Sequence, residues 1–123
     1  MNSSKSSENQ SLDLSKLQQL QEITGGDPDF LVELIDVYLE DAPRLFATMK
    51  DALSRDDAES TIRAAHDLKS NSLNLGATAL GAVCLEMETR AKDEKLQEAA
   101  LLLPVAEAEY FRVVAALRAV SVK

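Results

Sequence analysis

Apolar side chains return every three or four residues along nearly the whole chain, a spacing that admits the α-helix and little else. Leu12, Leu14, Leu17, Leu20 and Ile23 outline a short amphipathic helix, which Gly25 and Gly26 stop. Asp27 follows as an N-cap, with Pro28 at the first helical position, where a missing N–H costs nothing. Phe30, Leu31, Leu34, Ile35, Val37, Tyr38 and Leu39 then form a broad apolar face. Pro43 interrupts it, and Leu45, Phe46, Met49, Ala52 and Leu53 resume the spacing at once. The pattern predicts either one kinked long helix or two helices meeting near Asp41.

Asp56 and Asp57 provide the next cap, for a helix from about Ala58 to Leu73 that Gly76 ends. Ala79, Leu80, Val83, Cys84, Met87 and Ala91 mark a further helix. After the polar "KDEK" turn comes a last one through Leu101, Val105, Ala108, Phe111, Val114, Ala115 and Leu117, with Pro104 either kinking it or marking its first turn. No period-two alternation of useful length appears, and no β-branched cluster is bounded by hairpin signals. The expected fold is all-α: an up-and-down antiparallel four-helix bundle with a short additional N-terminal helix packed over one end.

Composition narrows the function. A chain of 123 residues suits one domain, and with 4% aromatic residues and no tryptophan its core must come from Leu, Ile, Val and Ala. The formal net charge of -8 repels phosphate backbones and anionic lipid, so neither nucleic acid nor membrane is expected as a partner. The single Cys84 cannot form an internal disulfide and lies in an apolar helical pattern, which fits a small core residue and a reducing compartment. Residues 1–11, "MNSSKSSENQS", lack the apolar stretch of a secretory signal. No later apolar run reaches the ~18 residues of a transmembrane helix, so a cytoplasmic location is expected. That serine-rich start reads as a flexible polar tail, with the folded domain over 12–123; Met1 and the tail fit a free-standing protein.

The one histidine, His66, opens "HDLKSNSLNLGA". At about 100° per residue, Ala58, Thr61, Ala65, Leu68, Ser72 and Leu75 form the core stripe of its helix, and His66 lies a quarter turn or more off the middle of that stripe. It is therefore expected at the boundary or exposed. Ile62 and Ser70 are one turn away, Arg63 and Lys69 three residues off, and Leu73 two turns on. A lone helical histidine is most often an ordinary surface residue. An exposed neutral imidazole is nonetheless a nucleophile near physiological pH, and the Lys69 ammonium could stabilise an anionic group on its ring. Ser70 keeps the surface low enough for another backbone to approach.

The stretch "AAHDLKSNSLNLGA" resembles the signature of histidine-containing phosphotransfer (HPt) domains: His, Lys three residues later, small residues, then Gly-Ala. "DPDFLVELIDVYLEDAPRLFATMKDAL" is similar to the family's preceding helices and "LGAVCLEME" to its following one, so the resemblance runs from residue 12 to the end. It implies that His66 is the phosphoacceptor on Nε2 and Lys69 the cation beside the phosphoryl group. At Ser70 the family most often has glycine, a departure that bears on receiver fit. The implied activity is a relay in a multistep two-component phosphorelay. His66 would take a phosphoryl group from a receiver-domain aspartate of a hybrid sensor kinase and pass it to the receiver of a response regulator.

Such a carrier needs no cofactor, because Mg²⁺ and its acidic ligands belong to the partner receiver. With no Gly-rich phosphate loop or kinase-like motif, autophosphorylation from ATP is not expected. No general base is evident beside His66, which favours a lasting phosphohistidine. Ile62, Arg63, Ser70 and Leu73, with part of the first helix, make the candidate docking patch; edge packing against a neighbouring helix would explain Ile62 and Leu73 equally well. A monomer is expected. The competing reading is a degenerate module that binds receiver or kinase domains without carrying phosphate, against which both His66 and Lys69 speak. One histidine and one cysteine do not supply a zinc site, and the imidazole has no serine or cysteine partner for hydrolysis. Acidic pairs such as Asp56 with Asp57 and Glu86 with Glu88 read as caps and solvated faces.

Overall fold

The computed structural model describes residues 12–23, 25 and 27–121; the polar tail read at 1–11 lies outside them. The described residues are all-helical: α1 is Leu14–Ile23, α2 Pro28–Ser54, α3 Ala58–Asn74, α4 Thr78–Lys92 and α5 Leu96–Ser121. Among the described residues no helix is long and apolar enough to cross a membrane.

Local chemistry sets most boundaries. Gly25, at φ +76°, turns the chain after α1, donating its N–H to the Glu22 carbonyl. Asp27 caps α2 by accepting from the Asp29 N–H, and Asp57 caps α3 through the Ser60 N–H at 3.1 Å. Pro43 lies within one unbroken α2 of 27 residues, which decides between the two readings of that segment in favour of the long helix. Its missing N–H leaves the Leu39 carbonyl without its usual donor, and the packing of both halves outweighs that loss. Pro104 likewise sits inside α5, not in its first turn.

α2 packs on α3, α3 on α4, α4 on α5 and α5 back on α2, while α1 packs on α2. The core joins Ile35, Tyr38 and Met49 of α2 to Leu68 of α3, Leu80 and Met87 of α4, and Val113 and Leu117 of α5. Cys84 is wholly buried among them, and burial pushes its thiol up to about 12, so it is an inert core residue as its pattern predicted. The first helix is tied down at Gly76, whose carbonyl accepts from the Asp13 N–H at 2.6 Å. Gly76 adopts φ +84°, and a Cβ there would stand 2.7 Å from the Asp13 carbonyl oxygen, so no other residue fits.

Apolar sets differ from the sequence reading on α1, where Leu14 and Ile23 are exposed, and on α5 and α3. On α5 the residues facing inward are Ala99, Ala106, Val113 and Leu117, whereas Leu101, Val105 and Phe111 are exposed. That helix is apolar nearly all round, so periodicity could not select a face, and the small alanines won because they admit close helix approach. On α3 Ala64 joins the core and Ala58, at the helix start, is only half-buried.

Candidate functional site

On α3 the buried residues Thr61, Ala64, Ala65, Leu68 and Ser72 define the core side. Leu68 is two residues past His66, about 200° round the helix, so the imidazole stands almost opposite the core. Its side chain is 54% exposed.

α4 supplies the partner. Leu73 of α3 lies over Gly81 of α4, and seven residues away along each helix His66 meets Glu88, so the two helices run antiparallel along one seam. His66 Nδ1 is 3.2 Å from Glu88 Oε2, Lys69 Nζ is 3.0 Å from Oε1, and Lys92 Nζ is 3.1 Å from Oε2. The Glu88 side chain is only 6% exposed. Burial alone would raise its pKa, but hydrogen bonds from Lys69, Lys92 and His66 outweigh that and hold the carboxyl below its ordinary value. An ionised carboxylate only accepts, so Nδ1 is the donor in this contact, and in the neutral ring that tautomer leaves the lone pair on Nε2. The carboxylate thus orients the ring through one oxygen and holds the Lys69 ammonium on the other.

Sequence reading missed Glu88, treating it with Glu86 as solvated. The two are about 200° apart on the helix: Glu86 is exposed and pairs with Arg90, and Glu88 turns inward. A signal was present, since Glu88 lies four residues after Cys84 and three before Ala91, both buried. Glu88 is also a base beside His66, where none was expected, and it engages Nδ1.

The other predicted residues separate. Lys69, 19% exposed, is held by Glu88 and is not a free surface lysine. Arg63 is exposed and lies 3.9 Å from Glu59. Ile62 is half-buried, and Leu73 is exposed on one side while packing over Gly81 on the other. Ser70, half-buried, lines a polar groove between α2 and α3 with Asp41, Arg44, Thr48 and Asp67. Among the described residues no His, Cys, Asp and Glu cluster could hold a metal ion.

The Hpt domain model matches residues 33–121, a span that contains His66, Lys69, Glu88 and Lys92. The chain belongs to the Hpt domain family. This Hpt domain is 29% identical to histidine-containing phosphotransfer protein B of Pseudomonas aeruginosa PAO1, over 92% of this chain and 96% of that structure, with a TM-score of 0.85. A maize histidine-containing phosphotransfer protein shares its fold at 23% identity, with 89% and 86% of the two chains covered and a TM-score of 0.78. Histidine-containing phosphotransfer protein 5 of Arabidopsis thaliana is 31% identical over 77 residues, 60% of this chain. The Hpt domain spans about half of that relative, 48% of its length.

Proposed function

We propose that this Hpt domain is a phosphoryl carrier of a multistep two-component phosphorelay, with His66 as acceptor and Lys69 as the cation beside the phosphoryl group. One observation carries the reading: Glu88 Oε2 lies 3.2 Å from Nδ1 of a half-exposed imidazole, and because a carboxylate only accepts, the neutral ring carries its proton on Nδ1 and keeps the Nε2 lone pair as the nucleophile. As the Nε2 lone pair forms the N–P bond, the P–O bond to a receiver aspartate breaks and the carboxylate leaves with the electron pair. The ring keeps its Nδ1 proton, so onward transfer to a second receiver reverses the step without moving a proton. Mg²⁺ is held by the receiver, and the domain has no autokinase activity and works without a cofactor of its own.

The ring of helix contacts and the short connections support an up-and-down antiparallel four-helix bundle with α1 over one end. Receivers of a hybrid sensor kinase and of a response regulator dock over Ile62, Arg63, Ser70 and Leu73. An apolar groove beside Asn71 and Asn74, walled by Leu20 and Ile23 of α1 and Phe30 and Val37 of α2, extends that patch. The protein acts as a monomer in the cytoplasm.

The test is incubation with a panel of phosphorylated receiver domains. Wild type takes acid-labile label from at least one and His66→Gln takes none. Label retained by His66→Gln would remove His66 from the role.

A further inference from the structure

Glu88 has three donors on one nearly buried carboxylate, and they cannot all serve the same purpose once a phosphoryl group arrives. Lys69 sits alone on Oε1, while His66 and Lys92 share Oε2. In the unphosphorylated protein the Lys69 ammonium is thus committed to Glu88. A dianionic phosphoryl group on Nε2 needs that ammonium. Glu88 can release it only if another cation stays behind, because a carboxylate 6% exposed has little water to replace it.

Lys92 meets that need. It lies one turn after Glu88 on α4, the favourable order for such a pair, and at the helix C-terminus, where the exposed carbonyls also hold a cation. Its side chain is 58% exposed and approaches Glu88 from its own helix, so it stays in place when Lys69 moves.

We propose that Lys92 is a positioning residue for the transfer, holding the Glu88 charge so that Lys69 can leave Oε1 and turn to the phosphoryl group on His66. This rests on the reading of His66 as phosphoacceptor. Without Lys92, the buried carboxylate and the phosphoryl group compete for a single ammonium.

Phosphoramidate tests this without a cognate receiver: Nε2 forms the N–P bond as the donor's own N–P bond breaks and ammonia leaves with the electron pair. Labelling is followed by ³¹P NMR in wild type, His66→Gln, Lys92→Ala, Lys92→Gln, Lys92→Arg, Lys69→Ala and Lys69→Ala/Lys92→Ala, each checked for folding by thermal melt. Lys92→Ala and Lys92→Gln slow labelling about fivefold and Lys92→Arg restores it, as expected for one partly exposed charge pair. In the Lys69→Ala background, removing Lys92 changes the rate by less than about twofold, because no ammonium is left to release. Wild-type rates in Lys92→Ala and Lys92→Gln, or equal slowing in both backgrounds, would overturn the proposal. An unlabelled wild type, or label surviving in His66→Gln, would instead defeat the phosphoacceptor reading and this inference with it.

Discussion

His66 Nδ1 and Glu88 Oε2 lie 3.2 Å apart across the seam between α3 and α4, and that contact selects the ring tautomer. Glu88→Gln keeps an oxygen that can accept from Nδ1 but removes the charge; Glu88→Ala removes both. ¹⁵N spectra of the imidazole are expected to show the Nδ1–H form in wild type and Glu88→Gln, and a mixture of tautomers in Glu88→Ala. Transfer from a phosphorylated receiver should slow on the order of tenfold in Glu88→Ala and less in Glu88→Gln, since a free imidazole still populates the reactive form part of the time. Equal rates in all three proteins would sever the contact from the chemistry.

The same carboxylate gives the domain an acid-sensitive component of stability. Folding lowers the Glu88 pKa through Lys69, Lys92 and His66, against the opposing effect of burial. Between the folded value and the unfolded one, about 4.3, the unfolded chain binds more protons. Stability from this group is therefore complete above the unfolded value and lost as pH falls through the folded one. The Asp57 cap, lowered by its bonds to Ser60, acts in the same direction. Thermal melts from pH 7 down to pH 3 should show Tm falling less steeply in Glu88→Gln than in wild type; parallel curves would count against it.

Much of this organisation is legible in the sequence because it follows from local rules. Asp27 and Asp57 are capping residues, Gly76 requires a positive φ, and His66 lies off a clear apolar stripe, so the helix limits and the exposed imidazole follow from residues close together in the chain. Glu88 was less legible, since its role depends on the pairing of α3 with α4, which brings residues 22 positions apart together. The face of α5 was hidden for a different reason. Leu101 and Phe111 are as apolar as the core residues, and only the space left by α2 and α4 chooses Ala99 and Ala106 over them.

Leu73 over Gly81 fixes how closely that pairing can be made. A Cβ on Gly81 would lie 2.4 Å from Leu73 Cδ2, so Gly81→Ala must displace the leucine, at about 1–3 kcal/mol, against a helix-propensity gain of up to about 1 kcal/mol. In a Leu73→Ala background only the gain remains. Urea unfolding should therefore give Gly81→Ala opposite signs in the two backgrounds: destabilising with Leu73 present, stabilising by up to about 1 kcal/mol without it. Stabilisation of equal size in both would mean that Leu73 swings into solvent at no cost and does not set the helix spacing.

Behind the site, Tyr38 of α2 and Ser72 of α3 share a buried hydrogen bond of 2.9 Å, and burial pushes the phenol's pKa above its ordinary value. The two ends of that bond are not equivalent. When Tyr38→Phe removes the phenol, the Ser72 hydroxyl can turn to the Leu68 carbonyl one turn back on its own helix, a bond available to any helical serine. When Ser72→Ala removes the serine, the phenol of a tyrosine only 3% exposed is left without that partner. Ser72→Ala is therefore expected to cost about 1–3 kcal/mol and Tyr38→Phe closer to about 1 kcal/mol. The double variant should be more stable than Ser72→Ala alone. Because Ser72 faces the core, about a third of a turn round the helix from His66, phosphotransfer measured well below the melting temperature should be unchanged in all three. A rate that fell in step with stability would show that α2–α3 packing reaches the imidazole after all.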